Sequence, residues 1–127
     1  MDFVKEMKAK AAAGQKKLVL PEGTDTRTLK AARIIIDEKL ASAVYLLGKT
    51  ADIEKAAAEA GVKLDGLLLV DPVNEKKFND YANEFFELRK HKGMTEEQAK
   101  IDMADPLRWG AMMVRLCQAD TSVAGSL

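Results

Sequence analysis

Cysteine, histidine and tryptophan each occur once in this 127-residue chain, and proline three times. A lone Cys117 excludes an internal disulfide and a cysteine-built zinc site, and points to a reducing, cytoplasmic setting. A lone His91 leaves no second imidazole for a histidine-built metal centre, so no metal is expected. Net charge is missing as well: 20 acidic residues balance 20 basic ones. No whole-molecule field would therefore draw in nucleic acid or a membrane surface. No apolar run approaches the ~20 residues of a membrane span. The start, Met1-Asp2-Phe3-Val4-Lys5-Glu6, lacks the basic-then-apolar order of a signal peptide. Aromatics make up 6% and do not interleave with the basic residues, which argues against a nucleic-acid surface.

The chain does hold 47% apolar and 31% charged residues, the balance of a globular domain with a real core. Asp2 suits the N-cap of a short helix to about Ala13, ended by Gly14. Lys17 to Leu20 reads as a buried strand closed by Pro21-Glu22-Gly23. Thr24 or Asp25 can cap a helix to about Lys39 with Leu29, Ala32, Ile35 and Ile36 inward. Ala43 to Gly48 is a second strand, Thr50 caps an alanine-rich helix ending at Gly61, and Leu67 to Pro72 holds a third strand. Apolar strands joined by short helical crossovers predict an α/β fold in three layers, a parallel sheet sandwiched between helices. Helices follow. Phe78, Tyr81, Ala82, Phe85 and Leu88 form one stripe, Thr95 and Gln98 a capping box, and Asp105-Pro106 the start of a helix whose core residues are Leu107, Met112, Met113 and Leu116. The Met112-Met113 pair suits core filling better than an adaptable binding surface. Ala119 to Leu127 reads as an extended strand without the crossover helix that would cover it. The expectation is one amino-terminal α/β domain over 1–127, incomplete and lacking a second domain.

Two stretches could carry chemistry. Leu88-Arg89-Lys90-His91-Lys92-Gly93-Met94-Thr95 gathers three cations and the histidine at a helix end beside a fresh helix N-terminus, a setting that suits an anion. The same run would also serve as a solvated last turn complementing the helix dipole. The loop after the first strand offers Glu22, Gly23, Asp25 and Arg27 where parallel sheets bind ligands. There Asp25 could equally cap the helix, with Arg27 paired to Glu22 or Asp25. Dinucleotide and P-loop glycine patterns are both absent, which sets aside nicotinamide dehydrogenases and P-loop kinases. His91 has no orienting carboxylate nearby in sequence, so a serine–histidine–acid triad has little support. Cys117, at the end of an apolar stripe, reads as a buried inert thiol. Asp120, Thr121 and Ser122 begin the last extended segment, where they can bond substrate oxygens or satisfy the turn.

Taken together, three blocks resemble the phosphate acetyltransferase family. Leu18 to Arg27 resembles its Pro-Glu-Gly-x-Asp-x-Arg loop. Glu87 to Thr95 resembles its Leu-Arg-Lys-x-Lys-Gly-Met-Thr block. Met113 to Asp120 with Val123-Ala124-Gly125 resembles its Met-Val-Arg-x-Gly-x-Ala-Asp-Gly-x-Val-x-Gly block. Cys117 and Thr121 depart from that pattern, standing where the family has glycine. The resemblance implies an acyltransferase that moves an acetyl group reversibly between coenzyme A and inorganic phosphate, giving acetyl phosphate, in a domain of the isocitrate/isopropylmalate dehydrogenase-like type. It implies substrate contacts from Arg89, Asp120, Ser122 and Gly125, and a cleft loop at Glu22, Gly23, Asp25 and Arg27. The catalytic base would lie beyond Leu127. Coenzyme A or acetyl-CoA would be a substrate, no bound prosthetic group is expected, and the full-length protein would be a homodimer. The isolated chain would be inactive. The alternatives are a non-catalytic binding or interaction fragment and a phosphate butyryltransferase-like enzyme.

Overall fold

A computed structural model describes residues 16–122. Its four strands are β1 (Lys17–Leu20), β2 (Ala43–Leu47), β3 (Leu68–Val70) and β4 (Thr121–Ser122). They form one parallel sheet in the order β3-β2-β1-β4. The helices are α1 (Thr26–Asp37), α2 (Thr50–Ala60), α3 (Phe78–Arg89), α4 (Glu96–Met103) and α5 (Pro106–Arg115), with short 3-10 turns at Pro72–Asn74 and Lys90–Lys92. The three-layer α/β expectation holds. The helix expected over 2–13 lies outside the described residues, and so does everything after Ser122, Gly125 included. No described helix is long and apolar enough to cross a membrane.

Strand alternation divides the core in two. Leu18, Leu20, Val44 and Leu46 face α1 and α2, where they meet Leu29, Ala32, Ile35, Ile53 and Ala57. Val19 and Leu47 face the other way, onto Tyr81, Met103, Trp109, Met112 and Met113 of α3, α4 and α5. Trp109 carries this second layer. Its ring stacks on Tyr81 at 4.1 Å between centroids and on Phe78 at 6.2 Å. Each fully buried large side chain contributes about 1.5–3 kcal/mol, so either layer alone would be marginal and the sheet needs both.

The direction of winding positions the site. From β1 to β3 the chain steps outward along one side, with its crossovers on one face. It then returns through α3, α4 and α5 on the opposite face to lay β4 against the far side of β1. Right-handed crossovers require that change of face when the direction reverses. The reversal lies between β1 and β4, and ligands in open α/β sheets bind beyond the carboxyl ends of strands at such a point.

Several local expectations change. Lys49, not Thr50, occupies the N-cap of α2, and no side chain caps it. Among the described residues β3 lies at the edge of the sheet, and Leu68 is 45% exposed instead of sandwiched. Leu107 is 43% exposed because it lies in the first turn of α5, before the helix turns its stripe inward at Trp109. Cys117 is exposed, not buried. It follows α5 with φ 61°, and the amides of Cys117 and Gln118 bond the carbonyls of Val114 and Met113. That left-handed closing residue is where glycine is ordinarily favoured, which accounts physically for the glycine in the family's block.

Candidate functional site

The loop from β1 to α1 is held by its backbone. The Gly23 amide donates to the Leu47 carbonyl at 3.1 Å, and the Asp25 amide donates to the Glu22 carbonyl at 3.0 Å. Gly23 is needed for space: a Cβ there would lie 2.5 Å from the Leu47 oxygen and 3.0 Å from Ile53 Cδ1. Asp25 is the N-cap of α1, its Oδ1 accepting from the Thr28 amide at 3.1 Å, and Arg27 Nε stands 4.0 Å from the same oxygen. Asp25 rather than Thr24 therefore caps the helix. Glu22 is different. Its Oε1 is buried and has no hydrogen-bond partner among the described residues, an unspent acceptor at the sheet's carboxyl edge.

Gly110 of α5 joins this loop to β4. A Cβ on Gly110 would come within 3.1 Å of both Pro21 Cγ and Ser122 Oγ, so Ser122 and the Pro21–Asp25 loop flank one point of close approach. Sequence reasoning missed Gly110; a glycine inside an otherwise well-formed amphipathic helix was the available signal. Asp120 serves the sheet's opposite edge. Its Oδ2 accepts from the Lys17 amide at 2.8 Å and its own amide donates to the Lys17 carbonyl at 2.9 Å. That pair fixes β4 in register at the start of β1.

The basic run forms a second centre. α3 ends at Arg89, Lys90–Lys92 make a 3-10 turn, and Gly93 reverses the chain at φ 87°. Thr95 then caps α4, its Oγ1 accepting from the Gln98 amide at 3.1 Å. The reciprocal half of the capping box is missing, because the Gln98 side chain donates to Asp102 instead. Lys90 pairs with Glu87 at 2.6 Å. Arg89 has no carboxylate partner among the described residues, and its guanidinium lies 5.6 Å above the Phe85 ring. Stacking leaves its planar N–H fork free for an oxyanion.

Arg89 borders two depressions. One, of about 420 Å³, is lined also by Lys92, Gly93, Met94, Thr95 and Gln98. The other, of about 400 Å³, has Leu88, Phe85 and Met112 as its floor and Arg108 and Arg115 on its rim. Arg108 is engaged by Asp105 at 3.1 Å. Arg108 and Arg115 were not expected from the sequence; their seven-residue spacing on one helix, with Ala111 between, was the signal that would have found them. None of Glu22, Gly23, Asp25, Arg27, Asp120 or Ser122 lines either depression. The structure thus brings Pro21, the residue before Glu22 and Gly23, close to Ser122 at Gly110, and sets Arg89 in a separate anion-suited groove. No cluster of three or more metal-ligating side chains occurs among the described residues.

Comparison with known proteins adds independent information. A family model described as phosphate acetyl/butaryl transferase matches residues 2–127. A phosphate acetyltransferase of Treponema pallidum is 43% identical over 126 residues, covering 99% of this chain and 38% of that protein. One from Acetivibrio thermocellus is 41% identical over 127 residues, covering all of this chain and 37% of that protein. Among solved structures, the EutD phosphotransacetylase from Staphylococcus aureus superposes with a TM-score of 0.83 at 28% identity, over 99% of this chain and 38% of that one. The chain spans less than two-fifths of the length of the relatives it matches.

Proposed function

The chain belongs to the phosphate acetyl/butaryl transferase family, and from that footing we propose that it supplies the phosphate-side part of an acyltransferase active site. The reaction is reversible transfer of an acetyl group between coenzyme A and inorganic phosphate, giving acetyl phosphate. The observation that carries this reading is Arg89: an arginine with no carboxylate partner among the described residues, its guanidinium 5.6 Å over the Phe85 ring, inside the block that resembles the family's Leu-Arg-Lys-x-Lys-Gly-Met-Thr. A permanent cation with a fixed fork binds phosphate oxygens and stabilises the negative charge that develops as the acyl carbonyl becomes tetrahedral. Its contribution is positioning and electrostatics, while the base that activates the thiol is assigned to sequence beyond Leu127.

Around Arg89 we assign supporting roles. Ser122 lines the substrate side of β4, Gly125 is assigned a substrate contact from the family block, and Asp120 sets where Ser122 lies by tying β4 to β1. Glu22, Gly23, Asp25 and Arg27 form the cleft loop, with Glu22 Oε1 accepting a hydrogen bond from a substrate donor. Residues 1–127 make up the amino-terminal α/β domain, of the isocitrate/isopropylmalate dehydrogenase-like type, in a cytoplasmic homodimer that uses no metal or prosthetic group. A butyryl group is the alternative acyl cargo.

The experiment is a comparison of two proteins: the 127-residue chain alone, and the chain within its full-length reading frame. Both are assayed for acetyl phosphate formation from acetyl-CoA and phosphate. Synthesis by the full-length protein and none by the 127-residue chain supports the reading. Synthesis by the short chain alone would refute the assignment of the base to later sequence. Inactivity of a folded full-length protein toward both acetyl-CoA and butyryl-CoA would favour a non-catalytic interaction module.

A further inference from the structure

On the sheet face covered by α3 and α5 lies a half-open cavity of about 200 Å³ whose lining includes neither Arg89 nor any other residue assigned above to the acyl-transfer site. Its walls are aromatic: Tyr45 of β2, Tyr81 of α3 and Trp109 of α5. Its polar groups are Glu75, Lys77 and Gln118. Lys77 Nζ donates to Gln118 Oε1 at 3.1 Å, which anchors the ammonium at one side and leaves its other N–H bonds available. Among the described residues the Glu75 carboxylate has no ion-pair or hydrogen-bond partner, and neither do the hydroxyls of Tyr45 and Tyr81. Burial, with the negative field of Glu75 and then of Tyr45, pushes the Tyr81 hydroxyl above its usual range, and all three residues line the cavity.

One anion and one cation that do not pair with each other, on a cavity walled by three rings, match a ligand carrying both charges and an apolar body. We propose that this cavity binds a small zwitterionic amino acid, its ammonium held by Glu75 and the two tyrosine hydroxyls and its carboxylate by Lys77. The apolar lining takes up an aliphatic side chain. A volume near 200 Å³ matches a ligand of about nine non-hydrogen atoms, the size of leucine. The proposal does not depend on acyl transfer.

Trp109, the chain's one tryptophan, forms part of the wall and reports occupancy directly. The test is titration of the protein with leucine, 3-methylbutylamine and 4-methylpentanoate, read by Trp109 emission and by calorimetry. Leucine is expected to give a saturable signal, and each singly charged probe to bind at least about tenfold more weakly. Glu75→Gln and Lys77→Ala are each expected to weaken leucine about tenfold, with Lys77→Arg retaining most of the affinity. Absence of a saturable signal up to about 50 mM leucine overturns the proposal. So does equal binding of the amine, or unchanged binding in both charge variants. Should a variant fail to fold, the three-probe series on the unmodified protein decides alone.

Discussion

Replacing Gly23 with alanine tests whether the β1–α1 loop is set by close packing. The added methyl would meet the Leu47 carbonyl oxygen at 2.5 Å and the Ile53 side chain at 3.0 and 3.2 Å. Ile53 is fully buried, so it cannot swing aside into solvent. The loop must move instead, and the 3.1 Å bond from the Gly23 amide to that same carbonyl is the first thing to lengthen. Overpacking costs about 1–3 kcal/mol. The lost bond adds about 1 kcal/mol, because Leu47 sits at the end of a buried strand. The expected loss is therefore about 2–4 kcal/mol, or about 1–2 M in the urea midpoint for a domain of this size. Trp109 emission gives the transition. Gly110→Ala is the control: its neighbours are a proline ring carbon and a hydroxyl at 3.1 Å, and a helical alanine gains back about 1 kcal/mol of propensity. If Gly23→Ala unfolds within about 0.5 kcal/mol of the unmodified protein, or no lower than Gly110→Ala, close approach is not what fixes the loop.

Further outcomes follow from the same geometry. Tyr81→Phe should flatten the alkaline limb of stability: a hydroxyl whose folded-state pKa is raised stabilises the fold fully below its ordinary value of 10.0 and loses that contribution as pH rises through the folded value. Urea unfolding at about pH 9 and about pH 11 measures this, and an equal slope in both proteins contradicts it. Trp109→Ala should cost about 3–5 kcal/mol, since it removes the ring on which Tyr81 and Phe78 stack; calorimetric melting checks it. Cys117→Gly should hold or raise stability by up to about 1 kcal/mol, because its φ of 61° strains any side chain. The unmodified Cys117 should react with a thiol reagent without unfolding, as its exposure requires.

Periodicity in the sequence was enough for the strands and helices of residues 17–115, because each apolar stripe has only one layer to face. Edge position was not legible. Leu67-Leu68-Leu69-Val70 has the same apolar texture as a central strand, and it is the winding back to β4 that leaves β3 at the edge of the sheet among the described residues, with Leu68 exposed. Cys117 was misread for a related reason: a thiol after an apolar stripe looks buried, whereas the backbone had already turned left-handed to close α5. At the candidate site, Asp25 and Thr95 acted as caps as their positions predicted, since capping is local. The roles of Gly110, Arg108 and Arg115 depend on what a helix face meets across space. Residue spacing marks that face but not its neighbour.

Arg89 carries the functional account, and the most direct measurement is acetyl phosphate formation by the full-length protein with Arg89 replaced by alanine or lysine. The account predicts a loss of about 10²–10³ in kcat/KM for Arg89→Ala, with Arg89→Lys recovering only part because a single ammonium cannot reproduce the fork. Urea unfolding should be unchanged, since Arg89 is exposed and, among the described residues, stacks on Phe85 alone. Near-normal turnover by a folded Arg89→Ala protein would contradict the account.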